Sequence, residues 1–178
     1  MVNRDMNIMV TKYDENWNEL YKKEALKIRE IFNGELVDIH HIGSTAVPHL
    51  KAKPIIDIMP VVNHVEKVDD FNEQMIEIGY EPLGELGIVG RRYFRKGGEN
   101  RTHQIHFFQN DNKSEIERHL AVRDYLKSHS EDRNEYGNLK ERLAQQFPKD
   151  IERYSEGKND FVQDLERKAM EWKRNHDR

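Results

Sequence analysis

The 178-residue sequence contains no cysteine, so disulfides, thiolate metal sites and cysteine nucleophiles are excluded. Long apolar runs are missing as well, which leaves no stretch suited to an ordinary membrane-spanning helix. The opening stretch Met1–Trp17 carries charges where a secretory signal needs its apolar centre. A cytoplasmic protein without a membrane partner is the expectation. Nor is there an excess of one sign of charge: 29 basic residues stand against 33 acidic ones, for a net charge of -4. No global positive field is available to hold nucleic acid or an anionic membrane. Nucleic acid is therefore not an expected partner, and any phosphate contact has to be local. Internal repeats and low-complexity linkers are also absent, and the length suits a single domain over residues 1–178.

Charged residues make up 35% of the chain and apolar residues 36%, but the apolar ones fall into periodic runs, which separates this sequence from a disordered one. After Asp14, Trp17, Leu20, Tyr21, Ala25, Ile28, Ile31 and Phe32 form the stripe of an amphipathic helix that stops at Asn33-Gly34. Leu36 to Ile42 reads as a strand running into Gly43-Ser44-Thr45, and Ile55 to Val62 reads as a central strand opened by Pro54. Val65 to Ile78 has helical spacing and ends at Gly79. Arg92–Arg95 and Gln104–Phe108 read as a hairpin around a polar loop. Beyond Asn110 three helices follow, with a frayed tail expected from Lys173 to Arg178. Strands followed by helices in this order predict an α+β domain with a mixed sheet and a helical C-terminal third.

The stretch that carries chemistry runs from His41 to Ile58. A strand ending in Gly43-Ser44-Thr45 presents backbone N–H groups and two hydroxyls, a geometry that suits a phosphate, although the same tripeptide is common in plain turns. On the following strand Asp57 shares a face with Ile55 and Met59. A carboxylate in so apolar a run needs a partner. It is either a structural aspartate satisfied by backbone N–H groups, Lys53 or an arginine, or an acid at the lip of a ligand site. On the hairpin, period two sets His103 and His106 on opposite faces, so a straight strand cannot offer both to one metal ion. His106 is the better partner for Asp57 and a candidate metal ligand. Arg91, Arg92, Arg95, Lys96 and Arg101 gather positive charge around the hairpin, either as a solvated loop with ion pairs or as an anion clamp.

These residues resemble the signature of the GrpB family, a group assigned to the nucleotidyltransferase superfamily. The resemblance covers almost the whole chain: Tyr13-Asp14-x-x-Trp17, His41 to Asp57, Arg92-Tyr93-Phe94, Arg101-Thr102-His103-x-x-His106, Arg123-Asp124-Tyr125-Leu126, Tyr136-x-x-Leu139-Lys140 and Tyr154-x-x-x-Lys158 occur in order. It implies a nucleotidyltransferase-like mixed sheet flanked by helices. It also implies that Gly43 and Ser44 hold phosphates and that Asp57, with His106, holds a divalent ion, magnesium or manganese. In that superfamily the strand supplies two acids one residue apart, but Met59 stands at the second position here. His49 is a further departure, at a position where the family often has glycine. Lys53, Lys140 or Lys158 would then neutralise phosphate charge. The implied partner is a nucleotide or other phosphorylated small molecule, and the implied reaction is nucleotidyl or phosphoryl transfer. The alternative is a non-catalytic nucleotide- or coenzyme-binding module, accessory to coenzyme A metabolism, since the family occurs fused to dephospho-CoA kinase in some bacteria.

Overall fold

A computed structural model describes residues 7–177; the first six residues of the opening stretch, and Arg178 of the tail, lie outside the described residues. The chain forms two compact units. One, the sheet unit, consists of Asn16–Ile42 and Ile55–Ile116. The other, the helical unit, takes in the residues before Asn16, Gly43–Pro54 and the chain from Glu117 onward.

In the sheet unit, α1 (Asn16–Ile31) buries Trp17, Ala25 and Ile28, with Phe32 just after its end. These are positions of the apolar stripe, and one charged residue, Glu24, is buried along with them. Five strands follow: β1 (Leu36–Ile42), β2 (Ile56–Val62), β3 (Tyr80–Pro82), β4 (Arg91–Lys96) and β5 (His103–Gln109). Their order in the sheet is β1-β2-β5-β4-β3. β2 and β5 run parallel and the other pairs antiparallel, so the sheet is mixed, as the element order predicted. The expected hairpin is the β4–β5 pair, with Arg95 opposite Gln104. Phe107 is fully buried between Phe32 and Phe94, with ring centroids 4.8 Å and 5.4 Å away, which places an aromatic seam between α1 and the sheet.

Two local features differ from the periodic reading. The predicted helix from Val65 to Ile78 is a 3₁₀ segment over Val65–Phe71 and then a short α2 (Asn72–Glu77). Val65, Val68 and Phe71 are spaced by three, which aligns them on one face at three residues per turn. Both valines are buried, and Phe71 packs on Phe32 at 4.6 Å. Strand β3 has only three residues, too few for alternation to reveal; it follows Gly79, at φ 100°, and pairs Tyr80 with Lys96.

The helical unit contains α4 (Ser130–Gln146), α5 (Ile151–His176) and most of α3 (Lys113–Ser128), which begins in the sheet unit. Val47, Leu50, Ala121, Tyr125, Leu126, Tyr136, Leu165 and Ala169 make its main core. A smaller group, Leu143, Ala144 and Tyr154, is packed against by Ile8, Val10, Leu139 and Phe147. The tail expected to fray from Lys173 is helical through His176, where Lys173 pairs with Asp177 at 3.1 Å and His176 Nδ1 lies 2.9 Å from the Trp172 carbonyl. No helix among the described residues is long and apolar enough to cross a membrane.

His49 has φ 72°, a left-handed conformation that histidine tolerates and glycine adopts freely. His49→Gly is expected to stabilise the protein by about 0.5–1 kcal/mol, the relief of left-handed strain exceeding the added freedom of the unfolded chain. Urea unfolding followed by circular dichroism measures this; an unchanged or lower midpoint would mean that the imidazole makes a compensating contact.

Candidate functional site

Each unit carries one polar arrangement. In the helical unit it starts at Gly43, whose φ of 73° and ψ of -172° belong to a backbone region open essentially to glycine alone. This turn delivers Ser44–Ala46 as a single 3₁₀ turn. Thr45 is buried and Ser44 half-buried, so of the two hydroxyls Ser44 is the more open. Its Oγ accepts a hydrogen bond of 2.8 Å from Lys140 Nζ.

Lys140 is 2% exposed and its ammonium lies 4.3 Å from the centre of the Tyr136 ring. Burial pushes its pKa well below the ordinary lysine value, and the charges of Lys158 and Lys53 push it further down. Both of those lysines sit over Tyr154, with Nζ 5.2 Å and 5.0 Å from the ring centre. Tyr154 itself is fully buried, and its hydroxyl has no hydrogen-bond partner among the described residues. Burial also raises its phenol well above the ordinary tyrosine range. Lys140 thus joins Ser44 and the Tyr136 ring to the influence of two further lysines, which share the Tyr154 ring. The charges that act on Lys140 are cationic, a combination that favours an anion.

In the sheet unit the arrangement centres on Asp57, the register neighbour of Ile42 on β1 and of Gln104 on β5. Its Oδ1 lies 3.1 Å from His106 Nε2, the two side chains being 25% and 14% exposed. On the far side of the imidazole, Arg91 Nη1 lies 3.4 Å from Nδ1. A guanidinium can only donate, so Nδ1 accepts and Nε2 carries the proton that it donates to Asp57. Arg91 is held in turn by the carbonyls of Glu85, at 3.2 Å, and Leu86, at 3.0 Å, and covers the Tyr93 ring at 4.8 Å.

Sequence reasoning paired His106 with Asp57, and the side chains meet, with His103 on the opposite face against Tyr80. Both nitrogens of His106 are engaged, a pattern that suits a residue orienting Asp57. Among the described residues no group of three or more His, Asp and Glu is placed to hold a metal ion, and Met59 is fully buried. The donor set thus offers a hard ion one carboxylate, with the rest of its shell left to water and ligand oxygens, which is how magnesium is commonly held. Most of the basic residues around the hairpin are ion-paired. Arg92 binds Asp69 at 2.9 Å, Arg95 binds Glu81 at 2.8 Å and Lys96 binds Glu24 at 3.0 Å, so they do not form an open clamp.

Glu24 and Arg91 carry more of the structure than sequence reasoning gave them. The signal for Glu24 was a carboxylate inside an apolar helical stripe. Tyr154 also went unassigned. Its signal was the pair Tyr136…Lys140 and Tyr154…Lys158, in which tyrosine and lysine recur four residues apart on one helical face.

A family model described as GrpB protein matches residues 7–168. The UPF0157 protein YqkA of Bacillus subtilis is 44% identical over 94% of this chain and 48% of its own length, so the chain spans about half of that relative. The glutamate-rich protein GrpB of Alkalihalophilus pseudofirmus is 36% identical over 92% of this chain and 96% of its own. The crystal structure of the conserved protein GrpB from Enterococcus faecalis superposes with a TM-score of 0.89 at 44% identity, covering 92% of this chain and 98% of that one. The Cid1 poly(U) polymerase with MgGTP bound matches at a TM-score of 0.52 and 16% identity, over 79% of this chain and 45% of that chain; at that identity the likeness speaks for the fold, which is nucleotidyltransferase-like. With most of its length matched by the family model and by close relatives, this chain belongs to the GrpB family.

Proposed function

We propose that this protein binds a phosphorylated small molecule, with a nucleotide as the first class to test, through Ser44, Lys140, Lys53 and Lys158 of the helical unit. The observation that carries the reading is the buried Lys140 side chain, hydrogen-bonded to Ser44 and surrounded by cationic rather than anionic charge. A lysine buried in this way is costly without an anion. The finer reading is transfer of a nucleotidyl or phosphoryl group. In it Asp57 of the sheet unit would hold one divalent ion, magnesium or manganese, the class of ion that supplies charge neutralisation in such transfers. His106, as an Nε2–H donor, orients the Asp57 carboxylate, and Arg91 keeps His106 in that tautomer. The location that fits this reading is the cytoplasm, where nucleotides are available.

The test is a thermal-shift screen of wild type, Lys140→Met and Asp57→Asn against nucleoside triphosphates, nucleoside monophosphates and dephospho-CoA, with and without magnesium or manganese. Wild type is expected to rise by several degrees with its ligand, and Lys140→Met to lose that shift while remaining folded. Asp57→Asn is expected to lose only the metal-dependent part. A wild type that shifts with none of these compounds would sink the phosphate reading. Equal shifts with and without metal would leave a binding module in place of a transferase.

A further inference from the structure

We propose that the Lys140 site takes up a proton together with its anion, so that ligand binding favours the charged form of a lysine whose burial among other cations disfavours it in the free protein. This rests on the reading of that site as an anion site. The geometry leaves Lys140 Nζ almost no water, since the residue is 2% exposed, lies against the Tyr136 ring and has Ser44 Oγ as its hydrogen-bond partner at 2.8 Å.

The groups that face it come from three elements. From the 43–54 segment they are Ser44 and Lys53, from α5 Lys158, and from α4 itself Tyr136. The neighbouring carboxylate on α4, Glu141, is drawn to Lys51 at 3.1 Å. The charges acting on Lys140 are thus two other ammonium groups, which oppose its own charge and add to the effect of burial. Without an anion these surroundings work against the charge, and the neutral amine, where it forms, can accept the Ser44 O–H. An anion placed among Lys53, Lys158 and Ser44 reverses the balance: Nζ gains a proton from solvent, becomes an ammonium and donates to Ser44 Oγ or to the anion. No covalent bond forms or breaks at the ligand. By linkage the two events favour each other, and anion affinity falls as pH rises.

The experiment is isothermal titration of the full chain with sulfate and then with thiosulfate, neither of which has a titrating proton of its own near neutrality. Each titration is run at one pH in two non-phosphate buffers of different ionisation enthalpy. The expected result is a heat that depends on the buffer, corresponding to a large fraction of one proton taken up per anion. Affinity should fall by up to about tenfold per pH unit as pH rises above the Lys140 titration. Lys140→Arg, which stays charged, should bind with no buffer-dependent heat. Equal heats in both buffers for the wild type would overturn the inference and leave the anion site standing. Uptake that persists unchanged in Lys140→Arg would overturn the assignment to Lys140. If neither anion binds to the folded wild type, the anion site and the inference both fall.

Discussion

A Met59→Asp variant is expected to lose about 4 kcal/mol or more of folding stability, without gaining a second metal-binding carboxylate. Met59 sits two residues beyond Asp57 on β2, at the position where a paired-acid site would carry its second acid. Asp57 has a quarter of its side chain exposed, but Met59 has none, and it pairs across the ladder with His40. The substitution removes a buried thioether, worth roughly 2–5 kcal/mol of packing, and puts an ionisable group where water cannot reach it. Met59→Leu should cost less than about 1.5 kcal/mol. Urea unfolding of both variants by circular dichroism makes the comparison. A Met59→Asp protein as stable as wild type would show that this part of β2 opens to solvent, and the one-carboxylate description would have to be given up. The missing acid is therefore a consequence of packing: the position belongs to the core.

The second large effect belongs to Glu24. It is 4% exposed and accepts from Tyr80 Oη at 2.8 Å, Lys96 Nζ at 3.0 Å and Lys27 Nζ at 3.0 Å. Burial tends to raise its pKa, but the hydrogen bonds from Lys27, Tyr80 and Lys96 outweigh that and hold it below the ordinary value of 4.5. Glu24→Ala strands the buried Tyr80 hydroxyl and should cost about 2–3 kcal/mol; the two lysines, being partly exposed, can turn to water. The folded pKa is depressed, so this stabilisation is fully present above the unfolded carboxyl pKa and is lost as pH falls below it through the folded value. Denaturation midpoints taken from neutral pH downward should drop for wild type in that acid window. Glu24→Gln, which has no proton to gain, should show a shallower decline. Identical acid limbs for the two proteins would mean that Glu24 is not charged in the fold.

What could be read in advance follows from how each feature is encoded. The stripe of α1, the partial alternation of β1 and the apolar run of β2 are written in adjacent residues, so the sequence reveals them. Gly43-Ser44 and Asp57 were visible because they break that periodicity in a recognisable way. By contrast, the meeting of Lys140 with Ser44 joins residues 96 apart, and nothing local in the sequence ranks Lys140 above the other lysines. The ion pair of Arg92 with Asp69 is hidden for the same reason, being a tertiary contact between β4 and the 3₁₀ segment. Glu24 was legible only in part: its place within the apolar stripe of α1 is local, but two of its three donors, Tyr80 and Lys96, come from distant parts of the chain.

The two compact units have a consequence for dissecting the protein. The chain crosses from one to the other four times, at residues 15–16, 42–43, 54–55 and 116–117. No single cut therefore yields a fragment containing one whole unit and nothing of the other. Deletion series from either end will remove parts of both before either is isolated, and the resulting losses of solubility or binding cannot be mapped to one of them. Point variants, chosen within one unit at a time, are the means of assigning function here.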